Sequence, residues 1–341
     1  MKPAGFLREF DTILFDMDGV ITSERTYWDC AALSSVELAF DERYFGSRKL
    51  DLQQMGQQAR SLADHVFCGT DTIVLLKNLG VNTNWDLAYL MLAGMLGLQC
   101  GEDFSQIYDH YQQVQLRVPD LYTDAQQLLQ KALPDRDGAR LGEVWTMVQV
   151  AFNEWYCGSE EFQKQYGYEA SDCHKAAMQQ GELPLHPLEQ TQQLLRTLHQ
   201  AGFRLGVGTG RPRQEFLRPA KAWDILQYFE PAMCMTYDDV APVQKKFQHV
   251  SLAKPHPYTF VKAVLGDRCS DFELVHGNYD RQLLAQVLVV GDAGADLYAA
   301  KEMGAKFAAV LTGVNGTAAR HFFEVNGADF ILDSVLDFVE A

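Results

Sequence analysis

The pattern of apolar and polar positions changes character twice along the chain. Short apolar runs, each bounded by polar or small residues, occur near the start and again in the second half, and such runs are typical of strands buried in a parallel sheet. The predicted strands are residues 11–15, 204–208, 232–236, 286–290, 306–311 and 330–332. Helical periodicity over 188–201 and 296–303 separates several of them. This alternation predicts an α/β fold, a doubly wound parallel sheet with helices on both faces.

Long helical segments replace this alternation between about Ile21 and Pro187. Proline- and glycine-containing breaks separate them. The predicted helices include residues 62–79, 85–98, 104–116, 120–133 and 145–156. The chain has 341 residues, more than one core usually organises, and its 47% hydrophobic content can supply two cores. We therefore predict an α/β core of residues 1–20 and 188–341, and an enlarged all-helical domain of residues 21–187 inserted after the first strand.

Two further segments depart from the alternation in the second half. Residues 241–251 resemble an insertion, and residues 265–286 are longer and more polar than one helix requires. We interpret both as surface loops, with a partner contact as the alternative.

Four short polar segments, each just past an apolar run, carry the candidate chemistry. They are Asp16-Met17-Asp18-Gly19, Thr209-Gly210-Arg211, Lys254-Pro255 and Gly291-Asp292-Ala293-Gly294-Ala295-Asp296. In an open α/β sheet the ligand crevice lies beyond the carboxyl ends of the strands, so these segments can converge there. Carboxylates, a hydroxyl and an ammonium together suit a magnesium-assisted phosphoryl transfer.

Each segment taken alone has an ordinary explanation. Asp-x-Asp-Gly also begins calcium-binding loops, but Val20 and Tyr27 stand where such a loop needs oxygen ligands. A simple turn remains open for the Asp18-Gly19 and Thr209-Gly210 pairs, and a surface lysine for Lys254. The occurrence of all four in one chain favours the catalytic interpretation. The long interval between Asp16 and Thr209 also exceeds a single crossover, which requires an inserted domain.

In the order and chemistry of these segments the chain resembles the haloacid dehalogenase superfamily. The resemblance is to its phosphatase branch with an inserted helical (C1-type) cap, as in phosphoglycolate phosphatase and β-phosphoglucomutase. It implies that Asp16 is the nucleophile that forms an aspartyl phosphate and that Asp18 is the general acid and base. Carbon–halogen and carbon–phosphorus cleaving members lack a carboxylate at the place of Asp18, which disfavours those activities.

The resemblance also assigns the remaining polar residues. Thr209 and Lys254 complete the catalytic set, and both would bind the substrate phosphate together with Gly210. Arg211 lies beside Thr209 in the sequence and is predicted to bind the same phosphate, with a role on an exposed helix surface as the alternative. The implied Mg²⁺ ligands are Asp16, Asp18 through its backbone carbonyl, Asp292 and Asp296. The expected function is a magnesium-dependent phosphatase for a small phosphorylated metabolite. A phosphomutase of the β-phosphoglucomutase type and a non-catalytic, phosphate-responsive interaction module are the alternatives.

Composition limits the partners. A net charge of −16 without a compensating basic run argues against nucleic-acid binding. Seven cysteines without a Cys-x-x-Cys pair indicate reduced thiols. No apolar stretch approaches the ~20 residues that cross a bilayer, and the N-terminus lacks a signal-peptide pattern. We therefore expect a cytoplasmic protein without a membrane partner.

Overall fold

The computed structural model describes residues 1–81 and 83–340. Its backbone divides into two compact units. The first comprises Met1–Ser23 and Leu183–Ala341, and the second comprises Glu24–Glu182. No helix among the described residues is both long enough and apolar enough to cross a membrane.

A six-stranded parallel sheet forms the centre of the first unit, and a two-stranded antiparallel sheet joins the chain ends. The strands are β1 Lys2–Pro3, β2 Thr12–Phe15, β3 Arg204–Gly208, β4 Cys234–Met235, β5 Val287–Gly291, β6 Lys306–Val310, β7 Phe330–Leu332 and β8 Val339–Glu340. The order in the large sheet is β4-β3-β2-β5-β6-β7. All residues of β2 and β5 are buried, as expected for central strands covered on both faces.

The second unit is helical. Its helices are α1 Arg25–Phe40, α2 Leu52–Gln57, α3 Ala59–Val66, α4 Asp71–Asn78, α5 Asn84–Gly97, α6 Ser105–Val114, α7 Asp120–Ala132, α8 Glu143–Cys157 and α9 Ser159–Tyr166. The prediction of a single helix over 62–79 is wrong. Cys68 and Gly69 have φ angles of 51° and 75°, and this left-handed pair ends α3 and separates it from α4.

Helices cover both faces of the large sheet in the first unit. They are α10 Leu188–Gln200, α11 Arg213–Ala222, α12 Tyr237–Gln244, α13 Tyr258–Leu265, α14 Asp271–Val275, α15 Gly294–Met303 and α16 Arg320–Val325. The buried side chains form one cluster on each side of the sheet. The predicted α/β fold is therefore confirmed.

Two predictions for the second half need correction. The predicted strand 232–236 is reduced to Cys234–Met235, because a 3₁₀ turn over Pro231–Met233 precedes it. The interpretation of residues 241–251 and 265–286 as loops is wrong in part. The former segment contains the end of α12, and the latter contains α14, which begins with a capping box between Ser270 and Glu273.

Candidate active site

Three parallel strands deliver polar side chains to one edge of the large sheet. Phe15 of β2 lies level with Val207 of β3 and with Val290 of β5. The backbone N–H of Asp16 then donates to the carbonyl of Val290 at 2.9 Å, which continues the ladder by one step. Asp16, Thr209 and Asp292 therefore all follow the carboxyl ends of adjacent strands, where ligands bind in folds of this type.

An acidic cluster lies at this edge. Carboxylate oxygens of Asp16, Asp292 and Asp296 all lie within 4.8 Å of one another. The ammonium of Lys254 is 2.9 Å from Oδ1 of Asp16 and 2.8 Å from Oδ1 of Asp296. Oδ2 of Asp296 is buried and accepts no hydrogen bond from the described residues. One ammonium beside three carboxyl groups leaves an excess of negative charge when these groups are ionised, and this oxygen-only donor set fits a divalent cation such as Mg²⁺.

Burial and neighbouring charges shift the titration of this cluster. Burial raises the pKa of Asp16 to about 7, against the opposing effect of Lys254 and with the help of the Asp296 and Asp18 carboxylates. Burial alone would lower the pKa of Lys254. The adjacent carboxylates of Asp16 and Asp296 outweigh burial and raise that pKa above its ordinary value, so the lysine stays charged.

Two glycines leave room for the carboxylate of Asp292. A Cβ atom on Gly313 would lie 1.9 Å from Oδ2 of Asp292, and one on Gly19 would lie 2.4 Å from the same oxygen. Gly19 also has a φ of 72°, a conformation that side chains disfavour. The hydroxyl of Thr312 donates to the carbonyl of Gly19 at 2.5 Å, so the two glycine-containing loops are joined around the carboxylate.

Replacement of Gly313 by Ala is expected to weaken Mg²⁺ binding about 10-fold or more, because the new methyl group displaces the Asp292 carboxylate. Calorimetric titration of the metal-free protein with MgCl₂ measures this. Gly5→Ala is the matched control, since a Cβ at Gly5 meets nothing within 4 Å. Equal Mg²⁺ affinities for Gly313→Ala and the wild type would show that Asp292 does not hold the metal.

The position of Lys254 depends on the packing of α13. The ring of Phe260 lies 4.8 Å from the Lys254 ammonium. A Cβ on Gly208 would lie 2.5 Å from that ring, so only glycine in β3 permits this close approach. The ammonium of Lys254 thus contacts an aromatic ring and two carboxylates, and its side chain is only 11% exposed.

Asp18 occupies a different environment from Asp16. The guanidinium Nε of Arg211 lies 3.1 and 3.0 Å from the two carboxylate oxygens of Asp18. The hydroxyl of Thr22 donates to Oδ1 of Asp18 at 3.0 Å. The place of Arg211 beside Thr209 predicts that it binds the substrate phosphate, and in this structure its side chain contacts the second carboxylate of the first motif.

Hydrogen bonds to backbone groups hold the segment that follows β3 and carries the Thr209 hydroxyl. The N–H of Thr209 donates to the carbonyl of Met235 at 3.0 Å, and its Oγ1 accepts the N–H of Arg211 at 3.2 Å. Thr209 is buried, whereas Gly210 is exposed with nothing within 4 Å of a Cβ placed there. Their phosphate-binding roles remain predictions.

Sequence reasoning missed three neighbours of the predicted site residues: Thr22, Phe260 and Gly313. Gly313 carried a usable signal, because Leu311-Thr312-Gly313 follows an apolar strand in the same way as the four motifs. Thr22 and Phe260 carried none, since each is an ordinary residue whose importance comes from contacts made in the folded chain, with Asp18 and Lys254 respectively.

The chain is similar over most of its length to a known protein family and to solved structures. The sequence model of the haloacid dehalogenase-like hydrolases matches residues 10–304. The crystal structure of a structural genomics target is 26% identical, with a TM-score of 0.74 over 95% of this chain and 96% of its own. A haloacid dehalogenase-like hydrolase from Bacteroides fragilis is 15% identical, with a TM-score of 0.46 over 97% of this chain and 100% of its own. A β-phosphoglucomutase-type protein from Thermotoga maritima is 14% identical, with a TM-score of 0.44 over 96% of each chain. No curated protein matches the chain.

Proposed function

The chain belongs to the haloacid dehalogenase-like hydrolase family, and we propose that it is a magnesium-dependent phosphatase for a small phosphorylated metabolite. The observation that carries the proposal is the cluster of Asp16, Asp292 and Asp296, two of which, Asp16 and Asp296, contact the ammonium of Lys254. It combines a nucleophile at a strand end with an excess of negative charge that a divalent cation balances.

The proposed reaction has two steps. An oxygen of Asp16 forms a bond to phosphorus while the ester P–O bond breaks, and Asp18 gives its proton to the departing alkoxide oxygen. A water then attacks phosphorus, its proton passes to Asp18, and the bond between Asp16 and phosphorus breaks to release phosphate. Asp18 thus gives one proton and takes one back in each cycle.

Positive charge at the site is needed because the transferring phosphoryl group is anionic. Lys254, which stays charged, and the hydroxyl of Thr209 would hold the non-bridging oxygens. Asp16, Asp292 and Asp296, with the backbone carbonyl of Asp18, would hold Mg²⁺, which supplies further charge to offset that of the phosphoryl group. The net charge of −16 supports a small substrate, because a nucleic-acid backbone would be repelled.

The proposal is tested by phosphate release from a panel of sugar phosphates, phosphoglycolate, nucleoside monophosphates and p-nitrophenyl phosphate. We expect release in MgCl₂, loss of release in EDTA, and recovery when excess MgCl₂ is added back. Release that persists in EDTA would contradict metal dependence. A sugar phosphate that isomerises without free phosphate would establish the mutase alternative, and a silent panel would favour the interaction module.

A further inference from the structure

The guanidinium of Arg211 contacts protein groups from all three of its nitrogens. Besides its two contacts from Nε to Asp18, Nη2 donates to Asp18 and, at 2.9 Å, to the hydroxyl of Thr22. Nη1 donates to the backbone carbonyl of Glu215 at 3.2 Å. The acceptors come from the loop after β2 and from α11, so the side chain is held from two elements.

Exposure distinguishes the two partners of this ion pair. The Arg211 side chain is 2% exposed and that of Asp18 is 23% exposed. A phosphate that reached this place would meet the carboxylate, with the guanidinium behind it. A residue that binds a phosphate must present free donors to it, and the geometry of Arg211 directs its donors to Asp18 instead.

We propose that Arg211 is a positioning residue that fixes the carboxylate of Asp18 for proton transfer and does not bind the substrate phosphate. The inference rests on the phosphatase function proposed above and replaces the phosphate-binding role predicted for Arg211 from its place beside Thr209. A planar guanidinium that approaches both oxygens fixes the plane of a carboxylate, which a lysine ammonium cannot do.

The turn that carries Asp18 explains why such support is needed. Gly19 follows with a φ of 72°, and the N–H of Gly19 donates to the carbonyl of Thr22 at 2.9 Å. The chain therefore turns immediately after Asp18. Thr22 closes the turn and reaches Oδ1 from one side, while Arg211 reaches both oxygens from another.

The leaving group of the substrate discriminates between the two roles. Departure of an alkoxide requires a proton from Asp18, whereas 2,4-dinitrophenolate departs without one. We expect Arg211→Met to lower kcat/KM about 10²-fold or more for an alkyl phosphate, and we expect the same of Asp18→Asn. For 2,4-dinitrophenyl phosphate both variants should lose less than about 10-fold in kcat/KM, because this constant reports the steps up to departure of the leaving group and not the later hydrolysis of the aspartyl phosphate. The double variant should be no slower than the slower single variant, because the two residues act as one unit.

Controls separate this role from a loss of structure. Arg211→Lys keeps the charge without the planar fork, and Thr22→Val removes the second support. Both should show the same selective loss for alkyl phosphates, which keeps the test decisive if Arg211→Met fails to fold. Arg213 is a partly exposed arginine of the same segment and pairs with Asp239. Arg213→Met should keep kcat/KM for both substrates within about twofold of the wild-type value.

The inference would be overturned if Arg211→Met lost kcat/KM equally for both substrates, through a raised KM, and if the inhibition constant for inorganic phosphate rose as well. Arg211 would then be a phosphate ligand. That result would leave the phosphatase function intact, since the wild type would still release phosphate. A wild type that is inactive on every substrate would overturn the proposed function, and this inference with it.

Discussion

Asp16→Asn should lower the rate of phosphate release by more than about 10³-fold on every substrate that the wild type accepts. The amide has no charged oxygen that can attack phosphorus. The first step therefore fails both for substrates with a good leaving group and for substrates with a poor one. Steady-state phosphate release in MgCl₂ measures the effect. This uniform loss differs from the selective loss expected at Asp18 and Arg211, and the three variants together separate nucleophile from proton donor.

Asp11→Asn provides the control for Asp16→Asn. Asp11 is an exposed carboxylate just before the same strand, and its replacement should leave the rate within about twofold. If Asp16→Asn kept more than about a tenth of the wild-type rate while Asp11→Asn did not change it, another group would have to be the nucleophile.

The raised pKa of Asp16 adds a stability test in EDTA. Because burial raises this pKa to about 7, the folded protein holds the proton more tightly than the unfolded chain does. The charged carboxylate therefore costs stability, and the cost grows as pH rises from the unfolded pKa through about 7. Asp16→Asn should then gain free energy of unfolding relative to the wild type between pH 5 and pH 8. A relative stability that falls over this range would contradict the assignment of the shift to burial.

The fold could be predicted where the chain has strong local patterns. The apolar run that forms β5 and the short run that forms β2 each end in an aspartate, and parallel pairing brings those ends together. Helix α1 was not predicted as an element. Nearly all of its residues are buried, so it lacks the polar stripe from which an amphipathic helix is identified.

The site could be predicted only for those residues whose chemical type and motif indicate a role. Asp16, Lys254 and Asp296 belong to motifs, and the structure places their charged atoms within contact of one another. The partner of Arg211 could not be read from its motif, because a guanidinium suits a phosphate and a carboxylate equally well. Which of them it meets depends on the turn that carries Asp18, and that turn lies far away in the sequence.

Removal of the ammonium at Lys254 should have the second large effect, on both stability and rate. Lys254→Met leaves the carboxylates of Asp16 and Asp296 facing each other in a largely buried site. Loss of one partner from a buried ion pair typically costs about 3–5 kcal/mol, and we expect a loss in free energy of unfolding of that order in EDTA. Phosphate release should fall about 10³-fold, because the charge that faces the phosphoryl oxygens is gone.

Mg²⁺ should restore part of the stability that Lys254→Met loses, since a divalent cation offsets the same carboxylates. Denaturant unfolding in EDTA and in MgCl₂ measures this difference. Lys262→Met is the matched control on α13, where the lysine contacts Asp267 and Asp271 near the surface, and it should cost less than about 1 kcal/mol with no greater response to Mg²⁺ than the wild type. If Lys254→Met were as stable as the wild type in EDTA, the acidic cluster would not depend on the ammonium. The excess of negative charge would then not be a valid argument for a divalent cation at this site.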